Sequence, residues 1–210
     1  MASRETILSS IRTHLAASPL GDPCEPVITI TVPKVSPSIK EFKQSVEAVD
    51  GHCVVAQSED DIVQELTRII GNRLRRVAIS DAPVVHRLIH MTDLEVDEFA
   101  IAPDAREVFR FDVGITTAQA AIVETGTLVL DSATERNRLV SLVPPVHIAI
   151  VDASSIFQTL GEALAFIHQN GDVSPAVTFI TGPSRTADIE LTLAIGVHGP
   201  QELHVIVKQT

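Results

Sequence analysis

From Ser38 onward, short runs of β-branched and aliphatic residues alternate with segments whose apolar residues recur at helical spacing. The pattern predicts helices at Ile39 to Val49 and Ser58 to Ile70, with strands at His52 to Ala56 and Arg76 to Ser80. Strands that alternate with helices indicate crossover connections on a mostly parallel sheet. We therefore expect an α/β fold.

The same alternation continues to the last residues of the sequence. The later predicted helices are Pro83 to Met91, Ser154 to Gln169 and Arg185 to Ala194, and the later predicted strands are Leu128 to Leu130, Val146 to Val151, Val177 to Thr181 and Glu202 to Val207. Only 3% of the residues are aromatic, so the core must consist of Val, Ile, Leu and Ala. These side chains suit parallel strands that are covered by helices on both faces.

Residues 1–36 differ from the rest, and we expect two regions, 1–36 and an α/β domain at 37–210. Ser3 to Ala17 carries apolar residues at helical spacing, which predicts an amphipathic helix. Leu20 to Pro37 contains several prolines, which is typical of an extended arm or a short edge strand. Such an arm either wraps the surface of its own chain or reaches a partner subunit, so a homo-oligomer is one expected arrangement.

The formal net charge of -11 indicates which partners to exclude. Nucleic acid and anionic membranes are repelled by such a field unless a basic patch offsets it, and no such patch stands out. Cys24 and Cys53 have no metal or redox spacing, and the histidines form no ligand pair, so we expect no metal and no cofactor. With no signal peptide and no apolar run of membrane length, we expect a cytoplasmic protein.

The first candidate site is the turn Glu124-Thr125-Gly126-Thr127, which lies between two apolar runs. Gly126 permits a close approach of backbone or ligand. Glu124 is a candidate general base, nucleophile or acceptor for a substrate hydroxyl. The alternative interpretation is a hairpin turn with a solvated glutamate.

The second candidate site is the stretch Gly182 to Glu190, where a predicted strand enters a predicted helix. Backbone N–H groups, the hydroxyls of Ser184 and Thr186 and the charge of Arg185 favour an anion cradle. The remaining candidates of this stretch and of the helix end are Pro183, Asp188, Glu190 and His198. An ordinary capped helix is the alternative here.

Three further residues, Arg136, Arg138 and His147, are weaker candidates. Arg138, with Arg136, brings positive charge towards an anionic ligand unless both side chains lie in a solvated loop. His147 stands inside an apolar strand, and we expect a hydrogen-bonded core histidine there.

Long ordered motifs in the second half of the chain resemble the LUD-domain family, in particular its lactate-utilisation protein C group. They are Gly114-Ile115-Thr116, Ala121 to Leu130, Arg138 to Pro144, His147-Ile148, Gly182 to Glu190 and Gly196-Val197-His198-Gly199-Pro200. Thr117 and Gln119 depart from the family pattern, in which glycine and an acidic residue are frequent. The first half of the chain matches by layout only.

The resemblance implies a three-layer α/β/α fold similar to that of ribose-phosphate isomerases and CoA transferases. It also implies a role in oxidation of L-lactate to pyruvate beside two partner proteins that carry iron–sulfur clusters. Two isolated cysteines do not supply the four thiolates of a cluster, so this chain would be a cluster-free subunit that binds a small carboxylate or a partner. The alternatives are a free-standing isomerase, CoA transferase or folate ligase that uses Glu124, and a non-catalytic interaction module.

Overall fold

The computed structural model describes residues 3–17, 37–71, 76–169, 175–186, 194–195 and 199–209. The α-helices within these ranges are α1 Arg4–Ala17, α2 Ile39–Ala48, α3 Glu59–Ile70, α4 Pro83–His90, α5 Leu139–Leu142 and α6 Leu160–Gln169. The β-strands there are β1 His52–Ala56, β2 Arg76–Ile79, β3 Glu98–Ile101, β4 Val113–Ala118, β5 Ala120–Ile122, β6 Thr127–Asp131, β7 Val146–Asp152, β8 Ile156–Phe157, β9 Val177–Thr181, β10 Arg185–Thr186, β11 Ala194–Ile195 and β12 Glu202–Lys208.

The chain divides into two compact units, Met1–Lys34 and Val35–Thr210. The described part of the first unit is α1, which confirms the predicted N-terminal helix. Ile7, Ile11 and Leu15 are half exposed on it, one helical turn apart. The predicted Pro-rich arm lies, apart from Pro37, outside the described residues.

The second unit is organised around a six-stranded sheet of order β1-β12-β7-β4-β2-β3, in which every pair of neighbours is parallel. Its central strands are almost continuously buried, as in β7, where six of the seven residues from Val146 to Asp152 are buried. Aliphatic side chains on both faces of these strands require a cover on each side. The mixed α/β class with a parallel sheet is therefore confirmed.

Helices α3 and α4 cover one face of this sheet. Ser58 begins α3 with a capping box, in which its hydroxyl accepts the Asp61 N–H and the Asp61 carboxylate accepts the Ser58 N–H. Ile62 and Leu66 of α3 then pack with Leu88 of α4 against the sheet, and all three side chains are fully buried.

The other face is covered by α2, by α5 and by a second sheet of order β8-β5-β6-β9. Phe42 and Val46 of α2 are fully buried there. β4 continues almost directly into β5, so one segment of chain serves both sheets, with Gln119 at the bend. Ala163 of α6 packs on the far side of the second sheet.

Two predicted helices are wrong at their ends. The predicted helix from Ser154 instead begins at Leu160, because Asp152 accepts the Ser154 N–H in a short turn and Ile156–Phe157 pairs with β5. The predicted helix Arg185 to Ala194 is contradicted at both ends, where Arg185–Thr186 pairs with Ala194–Ile195 as two antiparallel strands. The residues between them lie outside the described ranges.

Candidate functional site

A cavity of about 550 Å³ lies at the carboxyl ends of β4, β7 and β12. These strands are neighbours in the order β12-β7-β4, and their last residues Ala118, Asp152 and Lys208 all line the cavity. Ligands of open α/β sheets bind outside the carboxyl ends of the strands. We refer to this space as the strand-end cavity.

Gln119 and Thr117 form a hydrogen-bonded wall of the strand-end cavity. The Gln119 side-chain oxygen accepts the Asp131 N–H at 2.7 Å, and its amide nitrogen donates to the Thr117 hydroxyl at 3.0 Å. One amide N–H of Gln119 remains available, because its nitrogen carries two hydrogens. Thr117 and Gln119, the two positions at which the sequence departs from the motifs it resembles, therefore line this cavity.

Glu135 lies directly behind this wall and is only 1% exposed. Its Oε1 accepts the Thr117 N–H at 2.8 Å and also the Thr117 hydroxyl. Its Oε2 is buried and meets hydrogen-bond geometry with no described residue. Burial raises the pKa of the Glu135 carboxyl above its usual range. The hydrogen bonds from Thr117 and the nearby Ser80 hydroxyl oppose this shift, and the negative charge of Asp81 adds to it.

Glu135 is a candidate residue that the sequence analysis missed. It stands in the polar run Thr134-Glu135-Arg136-Asn137-Arg138, which resembles a solvated loop. The signal that could have found it is the position of this run, directly after the buried strand β6 and therefore at the end of a sheet.

Three charged side chains line the strand-end cavity: Asp131, Asp152 and Lys208. Each carboxylate already accepts a backbone N–H of its own turn at 2.9 Å, from Ala133 and Ser154 respectively. Lys208 forms no ion pair with any residue that the structure describes. The cavity thus offers a ligand the Lys208 ammonium group, carboxylate oxygens and hydrogen-bond donors.

The predicted site at Glu124 is a hairpin turn. Ile122 pairs with Thr127 across it, and Glu124 and Thr125 are exposed at its tip. The Glu124 N–H donates to the Gln158 carbonyl at 3.2 Å, whereas its carboxylate makes no contact with the described residues that would activate it. The hairpin interpretation is therefore the observed geometry.

The structure does bring the two predicted turns together. The Thr127 hydroxyl lies 2.6 Å from that of Thr125 and 2.7 Å from that of Thr181, because β6 and β9 pair antiparallel there. A row of three hydroxyls therefore connects the Glu124 turn to the strand that enters the Gly182 turn.

Both motif glycines are explained by contact with the end of α2. Gly126 has a φ of 65°, and a Cβ on it would lie 2.5 Å from the carbonyl carbon of Ser45. Gly182 has a φ of 70°, and its Cβ would lie 2.3 Å from the Val49 oxygen. The close approach that we predicted is made by the protein's own backbone.

The anion cradle expected at Gly182 stays a prediction, and two of its groups already have partners within the protein. The Ser184 N–H donates to the Pro200 carbonyl at 2.8 Å, and the Arg185 guanidinium forms an ion pair with Asp50. The turn directly follows β9 of the second sheet, but its partner Pro200 precedes β12, so in the main sheet it lies near the amino end of β12 and not at the strand-end cavity. A smaller cavity of about 240 Å³ lies at this turn, and three of the predicted residues, Gly182, Pro183 and Ser184, line it.

The other predicted positions are dispersed. Arg138 is exposed just before α5, and its carbonyl accepts the Ser141 hydroxyl. The backbone of Thr186 lies in β10. Asp188, Glu190 and His198 lie outside the described residues.

His147 is the hydrogen-bonded core histidine that we predicted. It is fully buried, and its Nε2 shares a hydrogen bond of 2.9 Å with the Thr116 hydroxyl. Burial lowers the pKa of His147 to about 3, and the nearby His204 acts in the same direction.

Among the described residues, no group of three or more His, Cys, Asp or Glu side chains is arranged to hold a metal ion. Within the same part of the chain, no helix has the length and apolar character needed to cross a membrane.

The parallel sheet, with helices against it and a cavity at its strand ends, defines a mixed α/β protein. The chain belongs to the LUD-domain family, because residues 39–207 match the family described as "LUD domain". It is similar to "Lactate utilization protein C" of Geobacillus thermodenitrificans, with 33% identity over 98% of this chain and 83% of the relative. The protein of the same name from Geobacillus sp. strain WCH70 is 33% identical over 88% of this chain and 74% of the relative.

The fold also matches a solved structure. A DUF162 family protein from Deinococcus radiodurans superposes with a TM-score of 0.59 and 24% identity, over 80% of this chain and 94% of that chain. At this identity the match supports the fold and not the activity.

Proposed function

We propose that this chain is a component of an L-lactate utilisation system and binds a small-molecule ligand in the strand-end cavity. The lactate assignment rests on the name of the two relatives that match this chain over 98% and 88% of its length. The observation that carries the location is the cavity of about 550 Å³ at the carboxyl ends of three adjacent strands, lined by a lysine that forms no ion pair with the residues that the structure describes.

In this proposal the chain takes part in oxidation of lactate to pyruvate without carrying the redox centre. The sequence contains two cysteines, which is fewer than the four thiolates that hold an iron–sulfur cluster. Cys53 is buried, and burial raises the pKa of its thiol to about 12, which keeps it from acting as a thiolate ligand. Iron–sulfur partner subunits would therefore remove the electrons, and this chain would handle a ligand or a partner.

The ligand contacts in the proposal differ from those predicted from the sequence. Arg185 has its charge compensated by Asp50, whereas Lys208 has no such partner among the described residues. We therefore assign Lys208 and Gln119 to the acidic or polar part of the ligand. Glu124, exposed on its hairpin, has no assigned contact.

Growth on L-lactate tests the role. Deleting the gene in the organism that encodes it should abolish growth on L-lactate as sole carbon source and leave growth on pyruvate intact. The unchanged gene should restore growth, and so should a Glu124→Gln variant. An Ala133→Phe variant, which places a ring in the cavity from its exposed rim, should not. Normal growth of the deletion strain on L-lactate would refute the proposed function.

One observation favours a second function, that of an enzyme acting alone. Glu135 has a buried carboxyl with a raised pKa, and this carboxyl accepts a hydrogen bond from the hydroxyl of Thr117, which lines the cavity. A proton could therefore pass between Glu135 and a bound ligand through the Thr117 hydroxyl. Turnover by the isolated chain should then be lost in Glu135→Gln, with loss of the acidic limb of the pH profile, and retained in Glu124→Gln. A pH profile that does not change in Glu135→Gln would remove Glu135 from the reaction.

A further inference from the structure

We infer that the ligand of the strand-end cavity is a ring-bearing organic molecule with a single acidic group, and that it is considerably larger than lactate. This inference rests on the proposed function only in placing the ligand site at this cavity. It adds the chemical class of the ligand, and three independent properties of the cavity support it.

The first property is the volume. Lactate has about six non-hydrogen atoms, and at the volume of about 30 Å³ that one water molecule occupies in the liquid they would fill about 180 Å³. The cavity holds about 550 Å³. Protein sites of about 300–1,000 Å³ bind molecules of the size of a drug or a cofactor. Lactate alone would leave most of this space to water.

The second property is an apolar wall opposite the hydrogen-bonding groups. Phe166 and Ile167 of α6 line the cavity together with Val84 of α4 and Ile150 of β7. The Phe166 ring is held against Phe157, with 4.9 Å between the ring centroids. Because part of the Phe166 side chain lines the cavity, a ring of the ligand can pack against it there, and aromatic pairs are attractive at such separations. Lactate has no group that would use this wall.

The third property is the distribution of charge. Lys208 provides one cation at the end of β12, and the free amide N–H of Gln119 provides a donor. Asp131 and Asp152 line the same cavity, and each carries a negative charge that would repel a ligand with several acidic groups. The three charged side chains together carry one net negative charge, so Lys208 can pair with one acidic group of a ligand, whereas each additional acidic group would be repelled by Asp131 and Asp152.

Titration of the full chain with 1-anilinonaphthalene-8-sulfonate, a fluorescent molecule with fused rings and one acidic group, tests the inference. We expect one saturable site that weakens at least about tenfold in Ala133→Phe and in Lys208→Gln. Phe109→Ala is the matched control, because Phe109 is 74% exposed and does not line this cavity, and its affinity should equal that of the wild type. Thr134→Phe blocks the same rim if Ala133→Phe does not fold.

The competing outcome has a clear signature. Displacement of the dye by submillimolar L-lactate, or equal dye affinity in the wild type and every cavity variant, would overturn the ring-bearing class. The growth test can still succeed in that case, since it does not depend on the size of the ligand. Conversely, dye binding specific to the cavity together with normal growth of the deletion strain would refute the lactate role and leave the ligand class standing.

Discussion

Replacement of His147 should reduce the sensitivity of the fold to mild acid. His147 is fully buried in β7 beside Thr116, and burial lowers its pKa to about 3. In the unfolded chain the same imidazole titrates near 6.5. Between these two values the unfolded chain binds a proton that the folded chain does not, so the stability of the fold decreases as the pH falls.

The size of the effect follows from the two pKa values. At pH 5.0 the pH lies about 1.5 units below the pKa of the imidazole in the unfolded chain, so that imidazole is protonated while the folded one remains neutral. The free energy of unfolding is therefore about 2 kcal/mol lower at pH 5.0 than at pH 7.5. His204, whose pKa burial also lowers, acts in the same direction, and Glu135, whose pKa burial raises, acts in the opposite one. Both groups remain in a His147 variant, so the difference between wild type and variant isolates His147.

Urea unfolding of the wild type and of His147→Gln at pH 7.5 and pH 5.0 measures this difference. The glutamine amide can retain a hydrogen bond to Thr116, so the variant should fold, and His147→Asn is the second choice. The wild type should lose about 2 kcal/mol more than the variant between the two pH values. Equal losses would refute the reasoning, because they would mean that the imidazole titrates alike in both states.

Two further changes test the account of the predicted site. Gly126→Ala should lower the free energy of unfolding by more than about 2 kcal/mol in thermal or urea unfolding, since it combines a left-handed φ with a clash against Ser45. The matched control is Gly161→Ala in α6, where a Cβ meets nothing within 4 Å and stability should stay constant or rise by up to about 1 kcal/mol. Arg185→Ala should change stability by at most about 1 kcal/mol, because its pair with Asp50 is solvent-exposed, and should leave dye binding unchanged; a loss of binding would return Arg185 to the ligand site.

The elements that the sequence predicted correctly are those whose signals are local. Ser58 and Asp61 mark the start of α3 with a capping box, and Gly71 ends it. The aliphatic run of β7 needs no knowledge of its neighbours to be assigned as a buried strand. For such segments the pattern within about ten residues decides the structure.

The elements that were missed depend on distant partners. β3 has only four residues, Glu98 to Ile101, and exists because Arg76–Ile79 pairs with it at the edge of the sheet. Ile156–Phe157 would suit a helix, but β5 offers it a strand partner. Local propensity cannot show which of these contacts prevails.

The candidate site was only partly accessible from the sequence for the same reason. Gly126 and Gly182 correctly predicted that another group lies close to the backbone at each position. That group is the end of α2, which precedes Gly126 by about 80 residues and Gly182 by about 130 residues. The strand-end cavity assembles Thr117, Asp152 and Lys208 from three distant segments. The rule that ligands bind at the carboxyl ends of parallel strands predicted such a cleft but not which residues form it.

The place of β12 in the sheet has a consequence for biosynthesis. The last strand in sequence lies between β1 and β7, so β1 has no neighbour in the main sheet until residues 202–208 have left the ribosome. While about 150 further residues are made, the backbone N–H and C=O groups along the edges of β1 therefore have no strand partner in the main sheet. Contacts of such large sequence separation slow folding and leave time for aggregation or chaperone capture.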